Sequence, residues 1–213
     1  MRRLATILRN RFNLLCYAFR RQRMIRRYAG DPVSILSNNC LGGLICHDVG
    51  IKFDTPTVNL WMTCDDFIGF MENLPEMLKE EVVEIPQEAS LFPVGQLAGR
   101  ITLNFTHYRS FVDAKDAWNR RRIRVDFNRI VVVMADNSDL SDEAIRRFKQ
   151  LPYPKKMFVQ SRRKFEILGD CGLLAEGDFS KGFNITDFSG WNGRRFYHQF
   201  DFVGWLNSIE ETV

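Results

Sequence analysis

The sequence lacks the features that define several large classes of protein. It has no uncharged apolar run of about 18 residues, so it predicts no membrane-spanning helix. Its five cysteines include no C-x-x-C pair and match no zinc module, which argues against a disulfide framework and favours a reducing compartment. Its three histidines lie far apart, so a histidine-rich metal site is not expected. We therefore expect a cytoplasmic protein whose 213 residues, of ordinary globular composition, can bury a core.

Acidic residues and lysines are absent from residues 1–30, which contain nine arginines. This segment carries a charge of +9 in a chain whose net charge is +4, so residues 31–213 carry −5. Apolar residues recur at helical spacing between the arginines until Ala29-Gly30-Asp31-Pro32 ends the pattern. The pattern predicts a basic amphipathic leader helix over 1–30 and a single α/β domain over 31–213.

The composition of the leader helix is compatible with three uses. In the first, its apolar residues insert into a bilayer while its guanidinium groups bind anionic lipid headgroups. This use predicts peripheral binding through residues 2–28 at the inner face of the cytoplasmic membrane. A helix packed on the domain, with solvated arginines, is the alternative. Nucleic acid is not an expected partner, because the stripe between the arginines is aliphatic rather than an aromatic stacking surface.

Strand and helix patterns alternate along the rest of the chain. Apolar or alternating runs predict strands at 33–36, 58–62, 100–108, 128–135 and 156–159. Capping residues and 3.6-residue periodicity predict helices near 65–74, 110–122, 142–151 and 200–209. The alternation predicts an α/β layered fold with a mostly parallel central sheet.

A tight polar loop follows the first predicted strand. It reads Ser-Asn-Asn-Cys-Leu-Gly-Gly over 37–43, and Cys46-His47-Asp48 comes soon after. Ligands of open α/β sheets bind at the carboxyl ends of strands, where asparagine side chains and glycine amides can hold a phosphate or an oxyanion. The predicted substrate-binding residues are Ser37, Asn38, Asn39, Gly42, Gly43, His47 and Asp48.

Cys40, within this loop, is a candidate nucleophile if a histidine and an acid lie nearby. The alternative is a buried, unreactive cysteine in a turn whose asparagines satisfy backbone amides. Residues close in sequence cannot decide between the two, because the members of a catalytic triad are brought together by the fold.

Two carboxylates, Asp136 and Asp139, follow the strongest strand signal, the Ile-Val-Val-Val-Met run at 130–134. Such a pair can bind a divalent cation, Mg²⁺ or Mn²⁺, that bridges the phosphates of a nucleotide diphosphate. Many glycosyltransferases use an Asp-x-Asp pair in this way, and the spacing here is Asp-x-x-Asp. A turn followed by the N-cap of the next helix is the alternative.

His107 ends the strand predicted at 100–108, where an imidazole could act as a general base. The helix that follows carries Trp118, Arg121 and Arg122, an arrangement that suits an anionic group such as a phosphate. We therefore predict that these three residues bind substrate. In the alternative, Trp118 belongs to the core and the arginines form a solvated face.

Three motifs carry a resemblance to a known family. They are Ser-Asn-Asn-Cys-x-Gly-Gly at 37–43, Asp-x-Gly-x-x-Phe-x-x-Pro-Thr at 48–57, and His107-Tyr108 with Trp118-x-x-Arg121 and Arg122-Ile123. They resemble the bacterial domain-of-unknown-function family numbered 1919, whose members are often labelled exopolysaccharide biosynthesis proteins. The resemblance covers about 33–205 and leaves the leader helix outside. Leu41 stands where relatives often have an aromatic residue.

The resemblance implies an α/β domain associated with capsule, exopolysaccharide or lipopolysaccharide gene sets. With the basic leader helix, it leads us to expect a transferase of surface-polysaccharide assembly that acts at the inner face of the cytoplasmic membrane. The first hypothesis is glycosyl transfer from a nucleotide-activated or lipid-linked sugar, with Asp136 and Asp139 holding a metal–diphosphate and His107 as the base. The second is acyl or other group transfer, with Cys40 as the reacting group and His47 or His107 as its base. The third is a non-catalytic scaffold protein of the assembly machinery.

Overall fold

The computed structural model describes residues 2–87, 90–136, 140–161, 165–177 and 184–208. The helices are α1 (Arg2–Arg27), α2 (Leu41–Val49), α3 (Cys64–Glu72), α4 (Leu74–Met77), α5 (Phe111–Arg122), α6 (Asp142–Gln150) and α7 (Phe202–Asn207). The strands are β1 (Ser34–Ser37), β2 (Val83–Glu84), β3 (Val94–Leu97), β4 (Ile101–Asn104), β5 (Ile130–Ala135), β6 (Lys155–Gln160) and β7 (Gly172–Leu174). This arrangement confirms the predicted α/β class.

The central sheet is parallel and has the strand order β1-β5-β6-β7. All six residues of β5 are buried, as expected for a strand covered on both faces. Successive residues point to opposite faces, so Ile35 and Val131 enter one core cluster while Leu36 and Val132 enter the other. The sheet is therefore the middle layer of three.

The two outer layers differ in composition. On one side α3, α5, α6 and a small antiparallel sheet, β2-β3-β4, cover the central sheet with a core that includes Phe70, Trp118 and Phe148. On the other side α2, the 3₁₀-helix Phe196–Gln199 and α7 pack on the sheet. The carboxyl end of β1 enters α2, which places the start of that helix at the edge where ligands of such sheets bind.

The strand predicted at 58–62 is wrong, because only Trp61 makes a bridge there, antiparallel to Asn104. Asn59 has a φ of +68°, a left-handed conformation that interrupts an extended chain. Leu60 and Met62 are nevertheless fully buried, and their burial accounts for the apolar pattern. The segment predicted at 100–108 forms a strand only over Ile101–Asn104, in the small antiparallel sheet.

The tight loop predicted over 37–43 is shorter than expected, because α2 begins at Leu41 and includes both glycines. A Cβ on Gly42 would lie 2.7 Å from the Cβ of Ser37, so the glycine allows α2 to approach β1 closely. Ser110 caps α5 as the pattern indicates, with its hydroxyl accepting from the amide of Asp113.

The helix α1 packs along α2 and the C-terminal segment. The Asn13 side chain donates to the carbonyl of Gly190 (2.7 Å) and accepts from the amide of Gly193 (3.0 Å). Gly193 has a φ of +67°, and a Cβ there would collide with the backbone of Tyr17, so only glycine permits this approach. No helix in the described ranges is both long and apolar enough to cross a bilayer.

Candidate functional site

A cavity of about 800 Å³ opens at the carboxyl end of β1. Its walls are formed by the first turns of α2, the segment that follows α2, the turn after β4, one residue of α5 and two residues of the C-terminal segment. The lining residues are Asn39, Cys40, Gly43, Leu44, His47, Phe53, Val58, Asn59, Trp61, Thr106, His107, Arg121, Asn184 and Thr186. The cavity brings together six of the predicted site residues from three separate parts of the sequence.

Cys40 and His107 meet in this cavity. The Cys40 Sγ lies 3.1 Å from the His107 Nε2, although the two residues are 67 positions apart in the sequence. Cys40 occupies the N-cap position of α2, and His107 lies in a tight turn after β4 that the Tyr108 amide closes by donating to the carbonyl of Phe105. His107 is exposed and Cys40 is partly buried, so a ligand in the cavity can reach both.

Burial raises the pKa of the Cys40 thiol above its ordinary value. The thiol is therefore protonated at neutral pH, and its sulfur lies within hydrogen-bonding distance of the His107 Nε2. A neutral thiol is a weak nucleophile and needs a base that removes its proton as it reacts. His107 is in the position that such a base must occupy.

Backbone amides at the start of α2 lie beside the cysteine. The first amides of a helix have no carbonyl partner within the helix. The amide of Leu41 is satisfied by the Asn39 side chain (2.9 Å), whereas those of Gly42 and Gly43 lie in the same turn, and Gly43 lines the cavity. Gly43 is at the cavity wall, so its amide, with the positive end of the helix dipole, is suited to an oxyanion that forms next to Cys40.

Arg121 brings a positive charge to the cavity wall. Its guanidinium donates to the Tyr108 hydroxyl (2.7 Å) and to the carbonyl of Val58 (3.3 Å), so it is held in place by neutral partners. Because neither partner carries a negative charge, the guanidinium can still attract an anionic group of a ligand.

Other predicted binding residues lie behind the cavity. Asn38 is fully buried, and its amide group both donates to the carbonyl of Ala135 (2.8 Å) and accepts from the amide of Ala135 (2.9 Å). Ser37 is also buried, with its amide donating to Thr57 Oγ1. The structure therefore places Asn38, Ser37 and Gly42 where β1, β5 and α2 pack against one another. There they position the Cys40 turn, and they do not line the cavity.

Trp118 and Arg122 also lie away from the cavity. Trp118 is buried in the core, edge-on to Phe70 with ring centroids 6.0 Å apart. Arg122 donates to the carbonyls of Leu78 (3.0 Å) and Glu80 (2.6 Å) and so ties α5 to the segment after α4. Of the three residues predicted on α5, only Arg121 faces the cavity.

The carboxylate of Asp136 follows β5 but does not line the cavity. Its two oxygens accept from the hydroxyl (2.6 Å) and the amide (2.9 Å) of Ser161, at the end of β6. Asp139 lies outside the described residues. Within the described ranges, no three histidine, cysteine, aspartate or glutamate side chains cluster as a metal site would require.

Asp48 belongs to a separate buried cluster at the other end of α2. Its carboxylate accepts from the hydroxyls of Tyr17 and Tyr197 and from the His198 Nε2, the last two at 2.7 Å each. Burial alone would raise the pKa of Asp48, but the hydrogen bonds from His198, Tyr17 and Tyr197 hold it below its ordinary value. His47 lies between the two regions, lining the cavity while its Nδ1 lies 3.2 Å from the Tyr17 hydroxyl.

Several lining residues were not among the sequence predictions. Asn59 was assigned to a strand. Asparagine is depleted in strands and enriched at positive φ, and this preference could have indicated the turn in which Asn59 lies. Thr106 precedes His107 and could have been found as its neighbour. Asn184 and Thr186 lie in the glycine-punctuated C-terminal part, where the pattern carries no signal for a site.

Comparison with known proteins identifies relatives over almost the whole chain. An uncharacterized protein of Haemophilus influenzae is 30% identical over 189 residues, which cover 85% of this chain and 87% of that protein. The family described as "Domain of unknown function (DUF1919)" matches residues 11–207. This match begins inside α1, so most of the helix belongs to the family region, contrary to the expected start near residue 33. The chain therefore belongs to the DUF1919 family.

Proposed function

We propose that the protein is a thiol-dependent acyltransferase in which Cys40 is the nucleophile and His107 the general base and acid. The observation that carries the proposal is the 3.1 Å contact between Sγ and Nε2 inside an open cavity. A cysteine and a histidine at hydrogen-bonding distance are the minimal pair for nucleophilic catalysis through a covalent intermediate. The buried alternative for Cys40 does not account for an exposed imidazole directed at its sulfur.

The reaction proceeds in two balanced steps. In the first, His107 Nε2 takes the thiol proton while Cys40 Sγ bonds to the carbonyl carbon of an acyl thioester or ester, and the amides at the start of α2 stabilise the oxyanion. The intermediate then loses the donor's thiolate or alkoxide, which takes the proton from the imidazolium. In the second, an acceptor hydroxyl gives its proton to Nε2 and attacks the acyl–cysteine thioester. The thiolate leaves and recovers the proton from His107.

The cavity wall supports the choice of donor. The guanidinium of Arg121, whose partners among the described residues are neutral, fits a donor with a phosphate or carboxylate near the acyl group, such as an acyl-coenzyme A. A hydroxyl of a surface polysaccharide is the acceptor class suggested by the resemblance to exopolysaccharide biosynthesis proteins. The hydrogen bonds from Ser161 to both oxygens of Asp136 do not favour the glycosyl-transfer hypothesis, which stays a prediction from the sequence.

The test is the mass of the intact protein after incubation with acetyl-coenzyme A or p-nitrophenyl acetate without an acceptor. The wild type should gain one acetyl group on Cys40, and Cys40→Ala should gain none. His107→Ala should be acylated at least about 100-fold more slowly, because it lacks the base. Cys171→Ala is the matched control, since its thiol is also half-buried but donates to a backbone carbonyl and should be dispensable.

Two outcomes would contradict the proposal. One is acylation of His107→Ala at the wild-type rate, which would mean that the imidazole removes no proton from the thiol. The other is an adduct that maps to a cysteine other than Cys40.

A further inference from the structure

The face of α1 that points away from the domain carries a stripe of exposed apolar side chains. Leu8, Phe12, Leu15 and Phe19 follow one another at intervals of four, three and four residues, so they form one continuous row on the helix. Their exposed fractions are 56%, 50%, 64% and 80%. Four large apolar side chains in one exposed row on a single helix form a patch that marks an interaction surface.

The opposite face of α1 is already used. Asn13, Tyr17, Arg21 and Met24 recur at the same helical spacing and contact α2 or the C-terminal segment. At about 100° per residue, this inner row and the exposed row lie on opposite sides of the helix. Packing against the domain therefore does not explain why the exposed row is apolar. A second contact, made by this face of α1, would explain it.

Charge indicates what covers the exposed row. Residues 1–30 contain nine arginines and no acidic residue, so the surface around the row attracts anions. Arg11, Arg23 and Arg26 are exposed and lie along the row or at its edges. Phe19 also lines a second cavity, of about 740 Å³, which Arg20, Arg23 and Arg27 help to enclose. Apolar side chains bordered by guanidinium groups match the layered chemistry of an anionic bilayer surface.

The C-terminal segment extends this surface. Trp191 is 57% exposed, and its ring centroid lies 6.5 Å from that of Phe12. Tryptophan side chains are enriched at membrane–water interfaces, where an apolar ring meets polar headgroups. The apolar surface therefore includes residues from both ends of the described chain, which the fold brings together.

We propose that α1 docks the folded protein on anionic lipid bilayers, with the row from Leu8 to Phe19 among the acyl chains and the arginines at the lipid phosphates. The inference is independent of the chemistry at Cys40. In this arrangement α1 makes two contacts at once. Its inner row packs on the domain, and its exposed row lies in the membrane.

The experiment is flotation of the full-length protein with two kinds of vesicle. One is phosphatidylcholine alone, and the other contains about one-third phosphatidylglycerol, an anionic lipid, so that an electrostatic contribution to binding is easily measured. The protein should float with the anionic vesicles and much less with the neutral ones, and added salt should weaken the binding. The Leu15→Ser/Phe19→Ser variant should lose at least about tenfold in affinity. Arg23→Gln and Arg26→Gln should each lose about fivefold.

The matched control is Val112→Ser/Ile123→Ser, which removes two equally exposed apolar side chains from α5 or just after it and should float like the wild type. Circular dichroism of each variant checks that the fold is intact. Equal flotation of the wild type and the α1 variant overturns the proposal, as does an absence of flotation with both vesicle types. A wild-type dimer in light scattering that becomes a monomer in the α1 variant would instead assign this surface to a second copy of the chain.

Discussion

The two ends of α2 carry ionisable side chains that differ in burial and in their number of hydrogen-bond partners. At the C-terminal end, the carboxylate of Asp48 accepts three hydrogen bonds, and its side chain is only 3% exposed. At the N-terminal end, the thiol of Cys40 meets one partner, His107, which faces an open cavity. One helix thus positions a buried polar cluster and a thiol–imidazole pair that faces a cavity, about two turns apart.

The two groups also differ in how many segments of the chain they hold together. The partners of Asp48 come from α1 and from the 3₁₀-helix Phe196–Gln199, so this carboxylate joins three segments that are distant in sequence. Its three hydrogen bonds and its burial commit this carboxylate to holding those segments together. The pair of Cys40 and His107 joins only two segments, and a ligand can enter beside it without breaking any contact that the fold needs.

The largest expected effect is on stability, at the C-terminal end of α2. Asp48→Ala should lower the free energy of unfolding by about 3–5 kcal/mol, because it leaves two tyrosine hydroxyls and His198 without their buried anionic acceptor. Urea denaturation at neutral pH measures this loss. Cys40→Ala is the control and should change the free energy of unfolding by less than about 1 kcal/mol. Equal losses in the two variants would remove the distinction between the two ends of the helix.

The second expected effect is the pH dependence of that loss. The pKa of Asp48 is lower in the folded protein than in the unfolded chain. Its contribution to stability is therefore fully present above the unfolded pKa, near 3.9, and is lost as pH falls through the folded pKa. The gap in unfolding free energy between wild type and Asp48→Ala, measured by urea denaturation from pH 7 to pH 3, should narrow below about pH 4. A gap that stays constant over this range would contradict the assignment.

The sequence was sufficient to predict the parallel sheet and the position of the Cys40 turn, because both follow from local patterns. The buried run of β5 and the alternation of strands with helices depend on residues that are close in sequence. The pattern failed at 58–62, where burial of Leu60 and Met62 resembles a strand but the positive φ of Asn59 interrupts it. Apolar periodicity reports burial, and burial alone does not require an extended backbone.

The composition of the site was harder to predict than its location. Asn38 and Cys40 are two residues apart in one polar turn, yet one is a buried link to β5 and the other faces the cavity. Nothing in the sequence indicates which side chain turns inward, because that depends on the carboxyl end of β5, 97 residues away. The distance between Cys40 and His107 depends in the same way on the packing of the two sheets.

The smallest expected effect concerns the reactivity of Cys40 itself. In the unfolded chain, the rate of alkylation by iodoacetamide should rise with pH to an inflection near 8.5, the pKa of a free cysteine. Since burial raises the pKa of the Cys40 thiol, the inflection in the folded protein should lie at a higher pH. A Cys16→Ser/Cys171→Ser background removes the other partly exposed thiols, and the same protein in urea supplies the unfolded reference. An inflection below the reference would indicate a preformed thiolate–imidazolium pair. An inflection above it means that the thiol is neutral in the resting protein, so that a base has to remove its proton as the substrate reacts.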